Sequence, residues 1–280
     1  MARKLFCEYN RFFYKISQCK EAGKKNLRDL LQGRHFAKKH DKQNLPFLWK
    51  GDMRIMMRKL EGVNQELQAN KVTNLRLAAG KIDGLVIRPG EEFSFWNTVG
   101  TCTRRRGYLD GLVISNRKLT QGIGGGLCQM ANLIHWLVLH SPLTVTELHH
   151  HSDALFPDER RRVPFGTGTS ISYKALDYRF KNTSDTPVQI RVWLDDTFLY
   201  GELRADAELK EKYRIEEEDD HYAQEADGVF YRNSKVYRFV TDRETGALIR
   251  KELILDNHSE VLFDYALIPQ DKIRVTKACT

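Results

Sequence analysis

Residues 122–140 read GIGGGLCQMANLIHWLVLH, in which four glycines within five residues lead into a run of helical periodicity. Apolar residues recur there every three or four positions, which is the spacing of one face of an α-helix. Ser141-Pro142 ends the pattern, because proline does not continue a helix. The sequence therefore predicts a helix that follows a glycine-rich turn. Its buried face consists of Leu127, Met130, Ala131, Ile134, Leu137 and Val138.

The turn places Cys128 in the first turn of the predicted helix. Glycines adopt backbone angles that side chains forbid, and they leave amides free to bind an anion or a developing oxyanion. The positive end of the helix dipole favours the thiolate, which is the nucleophilic form of cysteine. A small buried cysteine in a tight corner explains the same pattern without chemistry. We take Cys128 as a candidate nucleophile, with oxyanion or binding groups at Gly124, Gly125, Gly126 and Gln129.

A cysteine nucleophile needs a base within hydrogen-bond reach. His135 lies seven residues farther along the same helix, about 10.5 Å along its axis, which is too far. Residues 143–151 read as a strand, on which Glu147, His149 and His151 would share one face. His149 or His151 is then the candidate base, and Glu147 the group that orients it.

The same cysteine and histidines could instead hold a metal ion. Cys128, His149 and His151 would form a three-ligand site with one open position. The glycine-rich turn suits an oxyanion better than a cation, so we predict neither a metal nor any other cofactor. Residues 122–127 do not match GxGxxG, and no GK[ST] follows them, which excludes the common nucleotide-binding motifs.

The flanking sequence predicts an α+β fold. Short apolar runs at 85–87, 171–180, 188–194 and 197–203 indicate strands, and residues 53–69 indicate a helix. We expect a mixed or antiparallel sheet packed on the central cysteine-bearing helix. The predicted regions are a basic helical N-terminal region (1–74), an α+β core (75–205), an acidic linker or helix (206–226) and a β-meander extension (227–280).

The net charge of +8 comes from the N-terminal segment. Residues 1–45 hold 12 Lys/Arg and 4 Asp/Glu, whereas the remainder holds 33 of each. Leu5, Tyr9, Phe12 and Ile16 form a helical apolar stripe, which we expect to pack on the domain. Alternatively, residues 1–20 contact an anionic membrane surface peripherally. No recognised nucleic-acid module accompanies the charge, so we expect no nucleic-acid partner.

The cysteine count points to a reducing compartment. Five cysteines without a CxxC pair indicate neither a disulfide framework nor a finger-type zinc site. No run approaches the roughly 20 apolar residues of a membrane helix. Charged residues interrupt the first 13 positions, unlike a secretory signal. We therefore expect a cytoplasmic location.

Four sequence blocks resemble the VanW family, which is named from vancomycin-resistance gene clusters. They are RPGEEFSF (88–95), VG with GY (99–100 and 107–108), GGGLCQ (124–129) and ELHHHS (147–152), with a weaker DYRFKNT (177–183). The resemblance spans residues 75–205 and implies an association with glycopeptide resistance and the cell wall. The order Cys then His also resembles transglutaminase-like and papain-like thiol enzymes, at the level of fold analogy.

One departure from the family pattern concerns a G-x-D-A-T stretch. Residues 164–169 read PFGTGT, so Thr167 stands where the family has Asp. Glu147, Asp153 or Asp177 could substitute for it. Two functions follow from these residues. The first is a Cys-His acyl transferase or hydrolase acting on peptide or amide bonds. The second is a non-catalytic binding or scaffold protein for a peptide-like cell-wall precursor or a partner protein, which the missing Asp favours.

Overall fold

Helices and strands mix along the chain in the α+β fold that the sequence predicts. The computed structural model describes residues 11–57, 65–115, 118–150, 153–155, 157, 162–173 and 175–274. The helices in these ranges are α1 (Arg11–Leu31), α2 (Gln65–Ile82), α3 (Phe95–Val99) and α4 (Cys128–Leu139). The strands are β1 (Lys39–His40), β2 (Phe47–Ile55), β3 (Leu85–Ile87), β4 (Glu92–Ser94), β5 (Asp110–Ser115), β6 (Lys118–Ile123), β7 (Thr144–Glu147), β8 (Asp153–Ala154), β9 (Arg179–Lys181), β10 (Val188–Leu194), β11 (Phe198–Ala205), β12 (Glu211–Gln224), β13 (Phe230–Asp242), β14 (Leu248–Val261) and β15 (Ile273–Arg274). None of the described helices combines the length and apolarity needed to cross a bilayer.

The central sheet packs on α4, as predicted. Its five strands run antiparallel in the order β1-β3-β10-β11-β2. Alternate residues of β11 point into the core, among them Leu199 and Leu203. Gly201 lies between them, and a Cβ there would stand 3.0 Å from the Leu133 side chain of α4. The apolar face of α4 is buried as expected, and each leucine in it contributes roughly 2 kcal/mol by leaving water.

The predicted helix over residues 53–69 is wrong at its start, and residues 58–64 lie outside the described residues. Residues 53–55 end β2, which pairs with β11 along its length. Helix α2 starts only at Gln65 and packs its buried face into the same core as α4. The N-terminal region is therefore not wholly helical, because β1 and β2 lie within it.

A three-stranded antiparallel sheet, in the order β4-β9-β7, carries much of the sequence that resembles the VanW family. Phe93 of β4 stacks on Phe180 of β9 with ring centroids 5.1 Å apart. Strand β7 ends at Glu147, so the predicted strand over 143–151 is too long. Its pairing with β9 shifts register between Val145 and Glu147, and His149 and His150 lie beyond the end of the strand.

A second five-stranded sheet forms the C-terminal part, in the order β15-β12-β13-β14-β8. The predicted acidic linker or helix at 206–226 is wrong, because β12 occupies most of it. Its carboxylates pair with basic residues on β13, the adjacent strand, and on β14, the strand beyond it. These pairs include Glu211 with Arg250, Glu218 with Lys251 and Asp220 with Arg232. The β-rich C-terminal extension is confirmed, and its first strand starts at Glu211. The predicted domain boundaries stay a prediction.

Helix α1 lies against the core through charged residues, and Ile16, the one side chain of the predicted apolar stripe that the structure describes, does not take part. Lys25 and Asp29 face the domain, whereas Ile16 is 42% exposed. Leu5 and Tyr9 lie outside the described residues. The helical character of the segment is confirmed, and the prediction that Ile16 packs on the domain is wrong.

Candidate functional site

The glycine-rich turn connects β6 to α4 and requires glycine for steric reasons. Gly124 and Gly126 have φ of 77° and 94°, a region that side chains disfavour. A Cβ on Gly125 would lie 2.2 Å from the Gly111 backbone. One on Gly126 would lie 2.1 Å from Cγ of Lys71. The turn therefore packs tightly, and Cys128 is the first residue of α4, as predicted.

Two backbone amides of this turn that were expected to be free are hydrogen-bonded. Gly124 donates to the Leu109 carbonyl at 2.9 Å and Gly125 to the Gly122 carbonyl at 3.1 Å, so these amides are not free to bind an oxyanion. The predicted role of these two amides is wrong. The amides of Gly126 and Leu127 find no acceptor among the described residues, as is usual in the first turn of a helix.

The Cys128 thiol is half-buried and points at a carbonyl. Its Sγ lies 3.8 Å from the Ile171 oxygen, as a thiol donor does. Burial raises the pKa of the Cys128 thiol above its usual range, while hydrogen bonds with the backbone act in the opposite sense. With its pKa raised, the thiol is neutral at neutral pH, so the expected thiolate is not the resting form.

His149 meets the same segment that contacts Cys128. The Ser170 amide donates to the His149 carbonyl at 2.6 Å, and the next residue, Ile171, faces the thiol. The His149 imidazole Nε2 lies 3.0 Å from Glu147 Oε1. Consecutive residues of one segment thus contact Cys128 and His149. The other candidate base, His151, lies outside the described residues.

Glu147 belongs to a partly buried ionic network. Its Oε1 also accepts from Lys25 Nζ at 2.7 Å and from the Asp177 amide at 3.0 Å. Its Oε2 lies 3.3 Å from Arg179 Nε. Burial raises the pKa of Glu147, but hydrogen bonds from Lys25 and His149 outweigh it, so the pKa is lowered. Glu147 is therefore ionised at neutral pH and fixes the His149 side chain.

Asp177 and Arg179 extend this network into the core. Asp177 accepts from Ser94 Oγ at 2.6 Å and from Arg179 Nε at 2.7 Å. Arg179 also donates to Asp29 of α1 at 2.8 Å. Sequence reasoning did not identify Arg179 or Asp29 as part of the site. The DYRFKNT block was the available signal for Arg179.

Asn132 of α4 contacts the same segment, residues 169–171, that lies against Cys128. Asn132 Oδ1 accepts the Thr169 amide at 2.6 Å. One turn on, His135 Nδ1 lies 3.1 Å from the Tyr178 hydroxyl, and burial lowers the pKa of His135 to about 3. His135 is thus a neutral core residue.

Gln129 and Thr167, the remaining positions singled out in the sequence, form hydrogen bonds within the fold. Gln129 Nε2 donates to the Ile55 carbonyl at 2.8 Å and so ties α4 to the end of β2. Thr167, at the position where the family resemblance implies an Asp, donates to the Pro164 carbonyl at 2.8 Å. In the part of the chain that the structure describes, no three His, Cys, Asp or Glu residues group as metal ligands.

Comparison with known proteins agrees with the resemblance seen in the sequence. The family model for VanW like protein matches residues 70–204. The chain is 37% identical over 202 residues to the Vancomycin B-type resistance protein VanW of Enterococcus faecalis (strain ATCC 700802 / V583), covering 72% of this chain and 73% of that protein. It is 33% identical over 118 residues to the Uncharacterized protein YoaR of Bacillus subtilis (strain 168), covering 42% of this chain and 37% of that protein. No solved structure matches the chain. Identity of this extent over most of both chains shows that the protein belongs to the VanW family.

Proposed function

We propose that this protein is a thiol-dependent acyl transferase or hydrolase acting on amide bonds of peptide-like cell-wall material. The observation that carries the proposal is the position of Cys128 at the start of α4, beside the free amides of Gly126 and Leu127. A relative named for vancomycin resistance supports a cell-wall substrate. A protein in the cytoplasm, which is the location expected from the sequence, would meet precursors of the wall rather than the mature wall.

The chemistry starts from a neutral thiol. As Sγ attacks the carbonyl carbon, its proton passes to a base, for which we propose His149, and an S–C bond forms. The amides of Gly126 and Leu127 stabilise the oxyanion. The C–N bond then breaks, and the leaving amine takes the proton from the imidazolium. Water or an acceptor amine attacks the resulting thioester and restores the thiol.

Supporting contacts hold the base in place. Glu147 accepts from His149 and remains ionised, so it holds the imidazole in one orientation. Ser170 and Ile171 connect the His149 backbone to the Cys128 thiol. Glu147 therefore performs the orienting role that the family Asp, replaced here by Thr167, would otherwise perform.

Intact-protein mass spectrometry tests the proposal. The protein is incubated with a synthetic peptidoglycan stem peptide, and the thioester adduct and released amine are followed. We expect an adduct on Cys128 that disappears in Cys128→Ala and persists in Cys102→Ala. Cys102 is the matched control because it is a half-buried thiol beside the same turn. Failure of the wild-type protein to form adduct or product would contradict the proposal.

The second candidate is a non-catalytic binding protein for the same peptide. The raised pKa of Cys128 favours it, as does Thr167 in place of an acid. In that case the stem peptide binds wild type and Cys128→Ser with equal affinity in calorimetry, and no adduct forms. Adduct formation on Cys128 therefore indicates the enzyme, whereas equal peptide affinity of wild type and Cys128→Ser without an adduct indicates the binding protein.

A further inference from the structure

Helix α1 turns a charged face toward the domain. Lys25 donates to Glu147 at 2.7 Å, and Asp29 accepts from Arg179 at 2.8 Å. Asp29 is only 8% exposed, so this face is the docked one. A helix of a soluble domain ordinarily docks its apolar stripe and leaves charged residues in water. Helix α1 has the reverse arrangement.

The opposite face of α1 is apolar and exposed. Leu27, Leu30 and Leu31 are 56%, 77% and 79% exposed, and Ile16 is 42% exposed. At 3.6 residues per turn these four side chains fall within an arc of about 100°, roughly opposite Lys25. The three leucines lie close together near the end of the helix, and Ile16 lies on the same side about three turns earlier, with Lys20 between them. These four apolar side chains form the apolar strip.

Basic residues border this strip. Lys24 and Arg28 lie along one edge, Lys20 lies within the strip between Ile16 and the leucines, and Glu21 pairs with Lys24 at 2.8 Å. The segment of residues 1–45 carries the whole net charge of +8. An apolar strip with a basic border matches the interface of an anionic bilayer, where leucines enter the boundary between headgroups and acyl chains and cations contact phosphates.

We infer that the outer face of α1 binds the surface of an anionic lipid bilayer. A second copy of the chain fits less well, because pairing two identical strips would bring their basic borders together. The surface extends the contact expected within residues 1–20 to Leu31. The outer face of α1 also determines how the protein is oriented on the bilayer, because Lys25 and Asp29 hold the domain on the side of α1 away from the lipid. The inference does not depend on the chemistry proposed for Cys128.

Vesicle co-sedimentation of the full chain tests the inference. The probes are vesicles of phosphatidylcholine alone and of phosphatidylcholine with phosphatidylglycerol, each at low and high salt. We expect binding to the anionic vesicles, weakened by salt and reduced at least tenfold in the triple variant Leu27→Ser, Leu30→Ser, Leu31→Ser. The matched control is Leu248→Ser, Leu253→Ser, Leu267→Ser, whose leucines are 60%, 53% and 56% exposed on the C-terminal part. We expect the control to bind like wild type.

Three results would overturn the inference. One is the lack of binding to anionic vesicles by wild type, and another is equal binding by the α1 variant. The third, seen by light scattering, is a dimer without lipid that the α1 variant abolishes, since a second copy would then cover the strip. Because the substituted side chains are exposed, matching thermal melting of the two variants checks that both are folded.

Discussion

Lys25 and Glu147 form an ion pair of 2.7 Å between residues 122 positions apart in the sequence. The same carboxylate oxygen lies 3.0 Å from the His149 imidazole. The N-terminal helix and the candidate base are thus connected through one atom. The basic N-terminal segment therefore contributes to the site as well as to the net charge of the chain.

Lys25→Met should loosen this connection. Removing the ammonium leaves Glu147 with fewer donors, so its pKa should rise toward its ordinary value and the free energy of unfolding should fall by about 1 kcal/mol. Urea unfolding and NMR titration of the Glu147 carboxyl measure the two effects. Lys24→Met is the control, because Lys24 forms only an exposed pair with Glu21 on the same helix. Equal effects of the two substitutions would contradict a specific role for Lys25.

Glu147→Gln should show a pH-dependent loss of stability. The folded-state pKa of Glu147 is lowered, so its stabilising effect is fully present above the ordinary value of 4.5 and disappears as pH falls through the folded value. We expect the variant to be about 2 kcal/mol less stable at neutral pH and nearly equal to wild type in strong acid. Urea midpoints across that pH range provide the measurement. A difference that stays constant with pH would show that the charge of Glu147 does not matter.

Gly126→Ala should damage the turn before Cys128. The new Cβ would meet Cγ of Lys71 at 2.1 Å, and φ at this position is 94°. We expect a loss of about 2–3 kcal/mol in thermal or urea unfolding. Gly80→Ala in α2 is the opposite case, because nothing lies within 4 Å of its Cβ and its φ is ordinary for a helix. That substitution should stabilise the protein by about 0.5–1 kcal/mol.

Sequence periodicity predicted the parts of the fold whose pattern is local. The run at 188–194 is a strand with the predicted limits, and the α4 pattern placed Cys128 correctly. Strand β12 was not predictable in this way, because the bases that neutralise its carboxylates lie on other strands. The early end of β7 has a similar cause. Glu147 finds partners on α1 and β9, which no window around residue 147 contains.

The same limitation applied to the chemistry of the site. A cysteine at a helix N-terminus predicts a thiolate from local structure alone. Burial against the segment around Ile171 raises the pKa of the Cys128 thiol instead, and that segment lies 43 residues away. Of the three predicted glycine amides, only that of Gly126 has no acceptor among the described residues, because β-hairpin and turn contacts use those of Gly124 and Gly125.

The alkylation rates of the three described thiols test this picture of Cys128. Its raised pKa leaves less thiolate at pH 7 than the few per cent of a free cysteine, so iodoacetamide should modify it more slowly than the exposed Cys19. The rate should rise about tenfold per pH unit, because thiolate is the reacting species and its fraction grows until pH reaches the pKa. Cys102 is the internal comparison, since burial raises its pKa to about 11 despite a hydrogen bond with Tyr108. Peptide mass spectrometry after timed labelling at pH 7, 8 and 9 measures all three rates in one sample. If Cys128 were the fastest thiol at pH 7, its resting form would be a thiolate, and a thiol-dependent enzyme would then need no proton transfer to His149 before attack.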